Sequence, residues 1–94
     1  MAIESPLPLY PTESVESKKA GLVVVDVVVG LEGSVNQIKI LQAPDDAISR
    51  EVRQTITRWK FRNENKMSLQ SRLMFEFSLN ADSPAVFDRV LERP

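Results

Sequence analysis

This sequence predicts an α+β fold in the order ββαβ: two layers, with a three-stranded antiparallel sheet and one long helix, plus an added C-terminal helix. Three observations predict it. Residues 22–29, Leu-Val-Val-Val-Asp-Val-Val-Val, are almost all β-branched, and such side chains favour the pleated strand. Ile48, Val52, Thr55, Ile56 and Trp59 recur at helical spacing. Residues 69–79 alternate, with Ser71, Leu73, Phe75, Phe77 and Leu79 on one face and Gln70, Arg72, Met74, Glu76 and Ser78 on the other.

The elements follow in chain order. Residues 1–11 contain Pro6, Pro8 and Pro11, which fix φ and disfavour helix in the residue before each, so this arm is extended. A short helix follows Thr12 and stops before Gly21. Strand 22–29 is apolar on both faces, with Val23, Val25, Val27 and Val29 on one and Leu22, Val24 and Val28 on the other. Such a strand belongs in the middle of its sheet, covered on both sides. Asp26 is the exception, and Arg72 or Lys39 across a strand is its expected partner.

Gly30-Leu31-Glu32-Gly33 has the length of a hairpin turn. The return strand 35–41 slips parity between Val35 and Ile38, which predicts a bulge. Ala43-Pro44-Asp45-Asp46 leads into the helix, its acids near the positive end of the dipole. The helical stripe faces the sheet and leaves Arg50, Arg53, Gln54, Thr57 and Arg58 outside. Strand 69–79 closes the sheet, in the order 35–41, 22–29, 69–79. The expected core includes Val23, Val25, Val27, Ile40, Val52, Ile56, Trp59, Phe75 and Phe77. Trp59 continues the helical stripe, so it anchors the helix rather than contacting a partner.

Residues 12–79 thus form the domain, after the arm at 1–11. Residues 80–94 read as a linker and an amphipathic helix, capped by Ser83, begun by Pro84 and carrying Val86, Phe87, Val90 and Leu91 on one face. That helix either folds over the Leu22, Val24 and Val28 face or mediates a homodimer.

Composition excludes several classes of function. The 94 residues contain no Cys and no His, which removes thiol catalysis, disulfides, Ser-His triads and most zinc sites. No cofactor and no enzymatic activity are expected. The net charge is −1, which argues against general binding to nucleic acid or anionic membranes. The charge is unevenly placed, however. Residues 47–75 hold seven bases, Arg50, Arg53, Arg58, Lys60, Arg62, Lys66 and Arg72, against Glu51 and Glu64. No Gly-x-x-Gly clamp or aromatic pair on a sheet face accompanies them, so a solvated basic face is the default and no nucleic acid is assigned. The longest apolar run is far shorter than the roughly 20 residues of a membrane span.

One ordered set of residues points further. Tyr10-Pro11, Gly21, Val23/Val25/Val27/Val29, Gly33, Val35, Ile40-Leu41, Glu51-Val52-Arg53, Arg58-Trp59-Lys60-Phe61 and Phe75/Phe77 occur in sequence over residues 8–79. The set resembles the TonB C-terminal domain family, the periplasmic part of bacterial energy transducers. The resemblance implies a non-catalytic, protein-binding domain in the periplasm, reaching the inner membrane only through an anchor outside this chain. It implies an outer-membrane TonB-dependent transporter as partner, whose extended TonB box segment adds as a strand to an open sheet edge. The edge expected is 69–79, with Gln70, Arg72, Met74, Glu76 and Ser78 as contacts, and Leu9, Tyr10 and Pro11 contributing from the arm. A structural or oligomerisation module of an envelope assembly is the alternative, and an RNA-binding module the third.

Overall fold

The computed structural model describes residues 2–64, 67–80 and 83–89. Strand β1, Ala2–Glu4, is followed by the one-turn helix α1, Thr12–Glu16, and strands β2, Gly21–Val29, and β3, Val35–Gln42. Helix α2, Asp46–Ile56, leads to the two-residue strand β4, Lys60–Phe61, then β5, Leu69–Asn80, and β6, Ser83–Asp88. The main sheet is antiparallel in the order β3-β2-β5-β6, and β1 pairs separately with β4.

The inner face of the sheet is the alternating set of the two long strands. Val23, Val25, Val27 and Val29 of β2 and Leu73, Phe75 and Phe77 of β5 are buried. Val52, Ile48 and Ile56 of α2 cover them, and Ile40 and Val35 of β3 are partly buried against the same cluster. Asp45 starts α2 by accepting the Ile48 N–H at 2.8 Å, which satisfies one of the free donors of the first turn. The same carboxylate takes the hydroxyl of the buried Ser14 at 2.9 Å, tying α1 to α2.

Trp59 lies three residues beyond α2. Its N–H donates to the Ile56 carbonyl, and that of Arg58 to the Thr55 carbonyl, so two tight turns carry the stripe past the helix end. The indole is 2 % exposed. It meets Phe75 edge-on at 5.8 Å and lies 6.0 Å from Phe61.

The bulge in β3 is present: Val28 pairs with Gln37 and Val29 with Val35, leaving Asn36 unpaired. Gly33 has φ +88, and a Cβ there would lie 2.1 Å from the Phe61 carbonyl oxygen. The Phe61 N–H donates to the Gly33 carbonyl at 2.8 Å. The turn therefore sits against β4, and only glycine allows that approach.

Two expectations are corrected. The C-terminal helix, expected over 84–93, is a strand where it is described: Ser83–Asp88 pairs with residues 75–80 of β5. Residues 90–93 of that expectation lie outside the described residues. The sheet accordingly has four strands rather than three. The physical reason is the edge of β5. Its unmet N–H and C=O groups are satisfied by a strand returning through a short connection, whereas a helix would leave them bare. Pro84 fits because it is the second residue of an edge strand. Since β6 extends the sheet sideways, it does not lie over Leu22, Val24 and Val28. Leu22 stays 37 % exposed, and no described element packs on that outer face.

The arm is also more than an extended lead. Trp59 Nε1–H donates to the Pro6 carbonyl at 2.9 Å, and the Leu9 N–H to Glu51 Oε2 at 2.9 Å. Pro8 is buried. The arm thus closes the open side of the core between α2 and β4.

Candidate docking edge

A sheet of four strands has two edges, and their chemistry differs. The β3 edge is irregular: register shifts at both ends interrupt its pairing with β2. It also carries exposed Asn36, Gln37, Lys39 and Gln42. Bulges and a lysine discourage further strand addition. The opposite side belongs to β5 and β6. There β6 covers residues 75–80, and the Arg89 N–H donates to the Met74 carbonyl at 2.8 Å. Among the described residues nothing pairs with 69–73 on that side.

Strand alternation says which groups this half-edge presents. Met74 turns its carbonyl toward β6, so two and four residues back Arg72 and Gln70 turn their main-chain N–H and C=O the same way. Their side chains stand on the outer face, beside a concavity of about 440 Å³ lined by Asp26, Val28, Gln37, Lys39, Gln70 and Arg72, among others.

Arg72 faces Asp26 across the β2–β5 pair. Its Nε donates to Asp26 Oδ1 at 2.7 Å and its Nη2 to Oδ2 at 3.0 Å. Both side chains are about half exposed, at 53 % and 41 %. The hydrogen bonds from Arg72 hold the Asp26 carboxyl below its ordinary range; desolvation opposes them, and the charges of Arg72 and Lys39 add to them. The upper half of the outer face is more apolar. Leu22, Val24 and Met74 lie there with Phe87, which is 43 % exposed. Arg89 reaches Glu76 at 2.9 Å and stacks over the Phe87 ring at 5.0 Å.

The sequence-derived contact residues thus fall into groups. Gln70 and Arg72 flank the open half-edge. Glu76 and Ser78 stand opposite Phe87 and Ala85 of β6, and Met74 accepts from Arg89 where that pairing ends. Leu9 is 75 % exposed, and Pro11 is the N-cap of α1, its carbonyl accepting the Ser14 and Val15 N–H groups. Tyr10 is turned inward. Its ring meets Phe77 edge-on at 5.1 Å, and its hydroxyl donates to the Lys19 carbonyl. Burial, with the nearby Asp45 charge, raises its phenol above the ordinary value. Phe87, expected on the apolar face of a helix, and Arg89 were not read as residues beside a sheet edge because a helix was expected there. The alternation of Val86 inward and Phe87 outward was the available signal. Among the described residues no group of three or more acids could hold a metal ion, and no helix is long and apolar enough to cross a membrane.

Comparison with known proteins bears on this geometry. Residues 6–80 match the family of the Gram-negative bacterial TonB protein C-terminal. The chain belongs to the TonB C-terminal family. The family is one of periplasmic domains that work by protein–protein interaction in transport. The solution structure of the C-terminal domain of Pseudomonas aeruginosa TonB shares the fold, with a TM-score of 0.68 and 24 % identity. That match covers 88 % of this chain and 89 % of the other. No curated protein sequence matches.

Proposed function

We propose that this domain docks an extended segment of an outer-membrane TonB-dependent transporter by adding it as a strand beside residues 69–73 of β5. The observation that supports this is the outer side of β5: among the described residues β6 pairs only with 75–80, and the main chains of Gln70 and Arg72 face outward without a described partner. Main-chain hydrogen bonds supply affinity in such a mode, so one domain serves segments of different sequence. The domain is periplasmic and is held to the inner membrane by a segment outside this chain. Force from that anchor reaches the transporter through the added strand.

Replacing Gln70 with Pro tests it. Its N–H faces away from β2, so the β2–β5 ladder keeps its bonds while the edge loses a donor. A peptide from a transporter's extended N-terminal segment is titrated against both forms. Binding should fall at least tenfold in Gln70→Pro with the circular dichroism spectrum unchanged. Equal affinity in a folded variant would overturn docking at this half-edge.

A further inference from the structure

The arm meets the rest of the domain as a bound peptide would. Two of its main-chain groups are read. The Pro6 carbonyl accepts the Trp59 indole N–H at 2.9 Å, and the Leu9 N–H donates to Glu51 Oε2 at 2.9 Å. One side chain between them, Pro8, is buried, while Leu7 and Leu9 are exposed. The receiving groups belong to the folded domain. Phe61 and Phe75 hold the Trp59 ring. The hydroxyl of the buried Thr55 donates to the same Glu51 Oε2 at 3.0 Å and holds that carboxylate. A donor and an acceptor are thus placed to take a carbonyl and an N–H three residues apart, with a proline ring enclosed between them.

We propose that Trp59 and Glu51 form a binding site for an extended Pro-x-Pro segment of another polypeptide, held closed by the chain's own arm. The class of ligand follows from what the site reads. It takes two main-chain groups and one ring, and the side chains before and after that ring stand in solvent. Any chain with prolines at the two positions meets it on equal terms. Prolines also hold a segment extended beforehand, so little entropy is lost on binding. The arm is built to leave. Strand β1 pairs only with β4, apart from the four-stranded sheet. Tyr10, with its ring on Phe77 and its hydroxyl on the Lys19 carbonyl, is a fixed hinge behind the arm. A chain end with so few contacts opens at low cost. Once it opens, the indole N–H has lost its acceptor, which favours capture of another carbonyl. The site lies apart from the β5 edge and does not rest on strand addition there.

The single Trp gives one indole N–H resonance in the ¹⁵N-labelled full chain. Pro8→Asp puts an acid where a ring is enclosed and so releases the arm; Pro8→Ser is the milder form. In either variant the indole resonance should leave its native position while the amides of β2 and β5 keep theirs. The capped peptide Ser-Pro-Ser-Pro-Ser, which keeps both prolines and drops both leucines, should bring the resonance back. Ser-Pro-Ser-Ala-Ser should bind at least tenfold more weakly. In the unaltered chain the tethered arm competes at an effective concentration of roughly millimolar. About ten times that concentration of Ser-Pro-Ser-Pro-Ser should move the Leu7 and Leu9 amides toward their positions in the released arm. If only Ser-Pro-Leu-Pro-Leu restores the resonance, the groove fits its own arm alone and the proposal fails. If the unaltered chain does not respond, the arm is a fixed part of the core and the proposal fails equally. If the arm of a second copy fills the site instead, seen as concentration-dependent dimers in which the resonance stays native, the occupant assigned here is overturned.

Discussion

At the scale of residues, two side chains show how burial decides what a group does. Trp59 is enclosed by Phe61, Phe75 and the arm, so Trp59→Ala removes packing that nothing nearby can replace. The cost should be about 3–5 kcal/mol, seen as a large fall in melting temperature. A folded Trp59→Ala protein of unchanged Tm would contradict this. Asp26 is the opposite case, exposed and paired. Its folded pKa is lowered by Arg72, so the pair stabilises the fold above the ordinary carboxylate value of about 3.9 and ceases to do so as pH falls through the lower, folded pKa. In Asp26→Asn that contribution is absent at every pH. Urea denaturation from pH 6 to pH 2 should therefore show a shallower loss of stability in the variant. Screening by solvent keeps the difference small. A steeper loss in the variant would mean the pairing is wrong.

At the scale of elements, the arm and β6 are the two additions to the ββαβ frame, and they act differently. The arm seals the core. Removing residues 2–9 takes away the Pro6 acceptor of the Trp59 indole and the buried Pro8. A buried donor left without a partner costs about 1–3 kcal/mol, and water reaching the ring should shift Trp fluorescence to the red. The chain has a single Trp, so the signal reports this site alone. An unshifted spectrum in the shortened protein would show that the arm does not cover the ring. Strand β6 instead guards an edge. It buries little: Val86 and Ala85 are partly covered, and Phe87 remains exposed.

At the scale of the whole molecule, one face of the sheet is covered and, among the described residues, the other is not. Helix α2 and the arm lie on the inner face, while Leu22, Val24, Met74 and Phe87 stand on the outer one. With an apolar row beside it, the β5 edge depends on β6 to remain monomeric. Ending the chain after Asn80 should lower stability by about 1–2 kcal/mol, the order of burying one valine. It should also produce concentration-dependent association in size-exclusion chromatography. A monomer of equal stability would show that β6 protects nothing.

How much of this was legible follows from the range over which each signal acts. Strand β2 declared itself because six of its residues are valines in a nearly unbroken β-branched run. Helix α2 did so because Ile48, Val52, Ile56 and Trp59 agree over three turns. Even the bulge at Asn36 was visible, since parity must break where Val35 and Ile38 both face inward. In these segments local preference and tertiary burial point the same way. Segment 83–88 is different. Val86 and Phe87, read with Val90 and Leu91, fit a helical stripe, and Ser83-Pro84 is a sound helix start. Val86 and Phe87 also fit opposite faces of a strand. The chain alone therefore holds both answers, and the unpaired edge of β5 selects the strand by offering hydrogen bonds that a helix cannot accept. The arm was decided in the same way. Nothing near Ala2, Pro6 or Pro8 in sequence says that Phe61 and the Trp59 indole will pair with it. Those contacts lie more than fifty residues away and exist only once α2 has packed on the sheet. Periodicity fixed what β2, β3, α2 and β5 are. Unsatisfied backbone and indole groups in the folded molecule fixed where its two ends go.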